Sequence, residues 1–267
     1  MEKIGIIAGN RRFPIIFSEA AKKKGYSLVA VAVKQDTSPK LKNVVDKIYW
    51  LGLNEFSRMF EIFKAEGVTK VVMVGQISPR RLFSKEIEQD PQLKDLLSQI
   101  KDKKADTIFK ELAERLKNQG FELLDSTTFI KELLPKRGAL TKKNPSFQEW
   151  EDVYFGFDLA KEVACLDIGL TVAVKKKAVV AVEALEGTDN LILRAGRLAR
   201  GGITVVKVSR PNQDMRFDIP VVGPNTVKNL AKAGAACLAI EAEKTLFIDM
   251  AEGIALADRH GIAVVAI

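Results

Sequence analysis

Short uninterrupted apolar runs alternate along this chain with segments whose apolar residues recur at helical spacing. The runs of the first half are IGIIAG, YSLVAVAV, DKIYWLG, KVVMVGQI and FELLDS. Helical periodicity covers about Pro14 to Lys24, Asn54 to Glu66 and two charged segments between Gln92 and Asn118. Strands that are apolar throughout, with amphipathic helices between them, belong to a mostly parallel sheet covered on both faces. Residues 1–134 are therefore expected to form a Rossmann-like domain. The Lys-, Gly- and Pro-rich stretch LLPKRGALTKKNPS breaks the pattern, which places a linker at 135–145 and a second domain at 146–267.

In that second half, a helix near Phe147 to Ala164 leads into LTVAVKKKAVVAVEAL, two strands meeting at Lys175-Lys176-Lys177. A helix from about Asn190, the run ITVVKVS, a helix near Thr226, the run CLAIEAEKTLFID, a last helix and IAVVAI complete the chain. The expected fold is thus α/β in two domains, the second smaller, with a cleft between them.

Composition narrows the chemistry. The 267 residues are 47% apolar, and 42 Lys and Arg against 34 Asp and Glu leave a net charge of +8, which favours an anionic partner. Cys165 and Cys237 are isolated, so neither a disulfide framework nor a zinc site is indicated. The first apolar run is too short for a signal peptide or a spanning helix, and a cytoplasmic location is expected. The single histidine, His260, stands beside Gly261 at an apparent helix end. With one histidine, triads and His-rich metal centres have little to be built from, and any metal should be held by oxygen, pointing to Mg²⁺ or Mn²⁺.

Four constellations carry candidate chemistry. In IAGNRRFP a strand ends at Gly9-Asn10 and a helix starts at Pro14, which reads either as a phosphate site of backbone amides with Arg11 and Arg12 or as an ordinary strand-to-helix turn, the GxGxxG spacing of a dinucleotide site being absent. VGQISPRR places Gly75, Gln76, Ser78, Arg80 and Arg81 at the end of another parallel strand, either at the edge where ligands of open α/β sheets sit or as a solvated loop with surface arginines. AVEALEGTDN delivers Glu186, Thr188 and Asp189 to a helix start, as cation ligands or as helix caps. In PNQDMRFDIPVVGPNTV, read as extended, Asp214, Arg216 and Asp218 share one face and Met215, Phe217 and Ile219 the other. That row runs into a turn shaped by Gly223 and Pro224 and a helix beginning near Asn225.

The phrases IAGNRRFP, GALTKKNPSFQEWEDVYFG, VVAVEALEGTDN, PNQDMRFDIPVVGPNTV and EAEKTLFID, in this order, resemble the metal-dependent UDP-2,3-diacylglucosamine pyrophosphatases of lipid A synthesis that lack the calcineurin phosphoesterase fold. The resemblance spans nearly the whole chain. It implies hydrolysis of UDP-2,3-diacylglucosamine to UMP and 2,3-diacylglucosamine 1-phosphate, water attacking the β-phosphorus, with the lipid held between two domains. It also implies an essential aspartate within QDMRFD, at Asp214 or Asp218. Arg11 stands where a small residue, often glycine, is expected.

On this reading Asp214, Asp218 and Arg216 are catalytic, and Asp214, Asp218, Glu186 and Asp189 are the candidate metal ligands. Gly9, Asn10, Arg11, Phe13, Gly75, Gln76, Thr141, Lys142, Thr188, Gly223 and Asn225 are the candidate substrate contacts. Phe147, Trp150, Val153, Tyr154 and Phe157, at helical spacing, offer a wall for acyl chains or ordinary core packing. Lysine clusters at 22–24, 101–104, 142–143 and 175–177 suit peripheral attachment to an anionic inner-membrane surface. A homodimer is compatible with the sequence. A sugar-nucleotide or dinucleotide-dependent enzyme is the rival reading. A nucleic-acid-binding protein, suggested by charge alone, lacks any recognised motif and is not expected.

Overall fold

The structure is a computed structural model and describes residues 1–77, 81, 85–102 and 104–267. These fall into two compact units: Met1–Lys131 with Asp214–Asp218, and Glu132–Gln213 with Ile219–Ile267. Both are α/β, as the alternation of runs and periodic segments predicts.

In the first unit β1 (Lys3–Ala8), β2 (Ser27–Val33), β3 (Lys47–Leu51), β4 (Lys70–Val74) and β5 (Glu122–Leu123) form a parallel sheet in the order β3-β2-β1-β4-β5. β1 is central, Ile4 pairing with Leu28 on one side and Lys70 on the other. Side chains on both faces of β1 and β2 are buried, which is why these strands read as continuous apolar runs. The helices are α1 (Phe13–Lys23), α2 (Met59–Ala65), α3 (Pro91–Gln99) and α4 (Ala105–Asn118). Pro14 sits in the first turn of α1, where its missing N–H is no loss. Asp90 caps α3 from a fully buried position, its carboxylate accepting from Gln92 N, Leu93 N and Ser57 N. The single helix expected over Asn54 to Glu66 is divided: a 3₁₀ stretch, Leu53–Arg58, precedes α2. Glu55 breaks it at φ −139°, its carboxylate drawn instead to Arg58 and Lys34.

The second unit is a mixed sheet in the order β6-β13-β11-β9-β7-β8. Its strands are β6 (Gly138–Ala139), β7 (Thr171–Lys175), β8 (Ala178–Val182), β9 (Thr204–Lys207), β11 (Cys237–Ile240) and β13 (Ala263–Ala266). β9, β11 and β13 are parallel, and β10 (Val221–Val222) pairs separately with β12 (Leu246–Phe247). α5 (Phe147–Cys165), α6 (Thr188–Ala199), α7 (Pro224–Lys232) and α8 (Met250–Arg259) pack on it. Ser146 and Glu149 cap α5 reciprocally, Ser146 Oγ accepting from Glu149 N and the Glu149 carboxylate from Ser146 N. The β7–β8 hairpin turns where the lysines predict it. Lys176 and Lys177 have φ of 51° and 58°, and Asp152 of α5, 3% exposed, accepts both their amides at 2.9 and 2.6 Å. His260 is the C-cap of α8 ahead of Gly261 at φ 63°.

Candidate active site

Candidate residues collect at the carboxyl edge of each sheet. In the first unit the strand order reverses at β1 and β4, the kind of position outside which ligands of open α/β sheets commonly bind. Gly9 N donates to Val74 O at 2.8 Å and Asn10 N to Gln76 O at 2.7 Å, which zips the two loops together. A Cβ on Gly9 would lie 2.6 Å from Gln76 N, and one on Gly75, at φ 85°, 2.8 Å from Asn10 O. Neither position admits a side chain without backbone movement. Asn10 Oδ1 is buried with no hydrogen-bond partner among the described residues. Arg11 has φ 66°, which accounts for the small residue expected there. Phe13 is 5% exposed and belongs to the core. Arg81 binds Asp36 at 3.0 Å and Glu86 at 2.6 Å, while Ser78 and Arg80 lie outside the described residues.

The segment Asp214–Asp218 belongs to this first unit, although the residues on either side of it belong to the second. It is also not extended. Turns fall at 211–212 and 215–216, and at the second the Asp214 carboxylate folds forward to accept from Arg216 N at 3.0 Å. The same carboxylate accepts from Arg216 Nε at 3.0 Å and Nη2 at 2.7 Å, a close acid–guanidinium chelate in place of an extended row. Arg216 holds the Asp214 carboxyl below its ordinary range, overcoming the opposing effect of partial burial, and Asp214 in turn raises the guanidinium. Ser126, at the end of β5, anchors the segment. Its N donates to Met215 O at 2.9 Å, and its Oγ lies 2.7 Å from Met73 O and 2.8 Å from Arg216 O. Phe217 is 2% exposed and stacks on Phe109 at 5.6 Å. Asp218 has φ 48°.

In the second unit, Glu183, Thr188 and Lys207 meet where β8 and β9 end, and Glu186, in the loop that follows β8, pairs instead with Arg194. Thr188 Oγ1 donates to Glu183 Oε1 at 2.8 Å and accepts from Lys207 Nζ at 2.9 Å. Burial opposes ionisation of Glu186, but Arg194 prevails and holds its carboxyl below the ordinary range. Asn225 Nδ2 donates to Asp189 Oδ2 at 2.8 Å, joining the first turns of α6 and α7, and Gly223 is the N-cap of α7. Thr141 and Lys142 do not join this group. Thr141 Oγ1 accepts from Val264 N at 2.8 Å and Lys142 N donates to Asp258 at 2.8 Å, at the amino end of β13.

Glu183 and Lys207, 8% and 5% exposed, escape the sequence reading. Their one signal is a charged residue closing an otherwise apolar strand, in VVAVE and ITVVK. Of the aromatic wall, Val153 is core and Trp150 and Phe157 are half-buried against it, while Phe147 and Tyr154 are 81% and 58% exposed. Burial pushes the Cys237 thiol up to about 12, so it is no nucleophile at neutral pH. Among the described residues no three His, Cys, Asp or Glu side chains gather as a metal cage. Mg²⁺ does not require one, since it commonly binds one or two carboxylates together with substrate phosphates and water.

Two family models match in order, the LpxI N-terminal domain over residues 3–133 and the LpxI C-terminal domain over 136–265. The UDP-2,3-diacylglucosamine pyrophosphatase LpxI of Caulobacter vibrioides is 30% identical over 277 residues, covering 100% of this chain and 98% of that protein. Among solved structures, N5-carboxyaminoimidazole ribonucleotide synthetase from Thermotoga maritima aligns at 17% identity with a TM-score of 0.25, over 71% of this chain and 43% of that one, too slight a likeness to bear on fold or chemistry. Both halves of the molecule, matched in sequence order and with a full-length relative, show that the chain belongs to the LpxI family.

Proposed function

We propose that this chain is a hydrolase that cleaves UDP-2,3-diacylglucosamine to UMP and 2,3-diacylglucosamine 1-phosphate in lipid A synthesis. The observation that carries the reading is the full-length match to a relative of that named activity. Water attacks the β-phosphorus, the bond from that phosphorus to the bridging oxygen breaks, and the bridging oxygen leaves with UMP. The water oxygen stays on the lipid phosphate and its surplus proton passes to solvent.

The residues suit this chemistry. Asp214, kept ionised by Arg216, is a carboxylate able to orient water, and Arg216 is a fixed cation for a nonbridging phosphate oxygen. Asp218 shares the same turn-rich segment. Mg²⁺, when bound, neutralises diphosphate charge and lowers the barrier to displacement. Asp214 and Asp218 of the first unit are the carboxylates we assign to it, alongside the phosphates themselves, and Glu186 and Asp189 of the second unit are the further candidate ligands. The exposed Phe147 and Tyr154 of α5 offer apolar surface to acyl chains, and the surplus of Lys and Arg favours peripheral attachment to an anionic bilayer. No helix of the described residues is long and apolar enough to cross a membrane.

The test is turnover of UDP-2,3-diacylglucosamine in ¹⁸O-water, with and without EDTA. Label in the lipid phosphate and abolition by EDTA are expected. Label in UMP would overturn β-attack, persistence in EDTA would overturn the metal requirement, and no turnover with Mg²⁺ present would overturn the function.

A further inference from the structure

Lys207 is a buried cation that the chemistry above does not use. It closes β9 at 5% exposure, its Nζ 2.9 Å from Thr188 Oγ1, 3.2 Å from Thr171 Oγ1 and 3.8 Å from Glu183 Oε2. Glu183 itself is 8% exposed, accepting from Thr188 Oγ1 at 2.8 Å and from Leu170 N at 3.3 Å. Removing an ammonium and a carboxylate from water costs more than their attraction commonly returns, and an apolar pair would fill the same space as stably. Stability is therefore a poor reason for the arrangement.

Orientation is a better one. The Glu183–Thr188 hydrogen bond spans the loop between β8 and α6, and that loop carries Glu186 and delivers Asp189. Lys207 donates to the same Thr188 hydroxyl whose proton Glu183 receives, so the loop is tied to the end of β9. Thr188 thereby acts as a strut between the loop and the strand end.

We infer that Lys207, with Glu183, is a positioning residue that sets the 183–189 loop and so the aim of Glu186 and Asp189 at the substrate diphosphate. This rests on the assignment of those carboxylates under the proposed function. It goes beyond that assignment by naming the buried pair that supports them.

The test compares wild type with Lys207→Met, Lys207→Arg and the double variant Lys207→Met with Glu183→Met. Each is assayed for thermal stability, for kcat and KM on UDP-2,3-diacylglucosamine, and for calorimetric binding of Mg²⁺-UDP. The single Met variant leaves a buried carboxylate unpaired and should lose stability. The double variant should regain the wild-type melting temperature yet remain roughly tenfold or more down in kcat/KM and in UDP affinity, the scale of losing a hydrogen bond to a charged group. Lys207→Arg, which keeps the donor and its charge, should recover most of the turnover. Restored turnover and UDP binding together with restored stability in the double variant would overturn the inference. Should wild type bind Mg²⁺-UDP but fail to hydrolyse the lipid, the functional reading falls, and the binding comparison still decides the role of Lys207.

Discussion

Asp214 grips the guanidinium of Arg216 and its backbone amide with one carboxylate, so acid and base are aligned by a turn of three residues. Asp214→Asn keeps the size and the turn but removes the charge. We expect that variant to fold and to lose about a hundredfold or more in kcat, the scale of a lost general base or charge-stabilising group, measurable in a direct turnover assay. The pH dependence has a definite sign. The folded carboxyl titrates below its unfolded value of about 3.9, so its stabilisation is fully present above that pH and is lost as pH falls through the folded value. Melting temperatures of wild type and Asp214→Asn should therefore differ near neutrality and converge as the pH falls through the folded carboxyl's titration. A constant gap across the range would remove Asp214 from the acid limb. The cysteines divide as cleanly: a thiol reagent should modify exposed Cys165 in the native protein and reach buried Cys237 only on unfolding. The aspartates and arginine of QDMRFD were legible as a pattern. Lys207 and Glu183 were not, because a charge at the end of an apolar strand has the same spelling whether it emerges into water or turns inward.

Among the elements, the hinge points are short turns under backbone constraint. Gly75→Ala places a Cβ 2.8 Å from Asn10 O at a φ of 85° and should destabilise the first unit by about 1–3 kcal/mol, read as a lowered melting temperature. Asp152→Ala leaves the Lys176 and Lys177 amides without their acceptor in left-handed backbone, with an expected loss on the order of 3 kcal/mol for two charge-assisted hydrogen bonds. An unchanged denaturation midpoint would show that the hairpin holds itself. Strands and helices were readable here because burial on both faces produces continuous apolar runs and helices keep their period. The row Asp214 to Ile219 reads as extended because its apolar residues alternate, yet the forward-folding Asp214 carboxylate turns the chain at 215–216.

For the whole molecule, sequence position and structural membership part company at one place. Phe217 lies late in the chain but stacks on Phe109 within the first unit. Phe217→Ala should cost about 3–5 kcal/mol there. Native-state hydrogen exchange should accelerate in β1 and β4 while β9 and β11 keep wild-type rates, and the reverse pattern would contradict the assignment. No periodicity announces such a transfer, since it depends on a partner surface formed by residues more than a hundred positions away, as the separation of Phe109 and Phe217 illustrates. It also bears on inheritance. A gene fragment ending at Lys131 would encode the first sheet without Asp214 or Arg216, and the remainder would carry those residues with nothing to seat them. Exchanging the first half alone would therefore set these five residues against a surface that did not form around them.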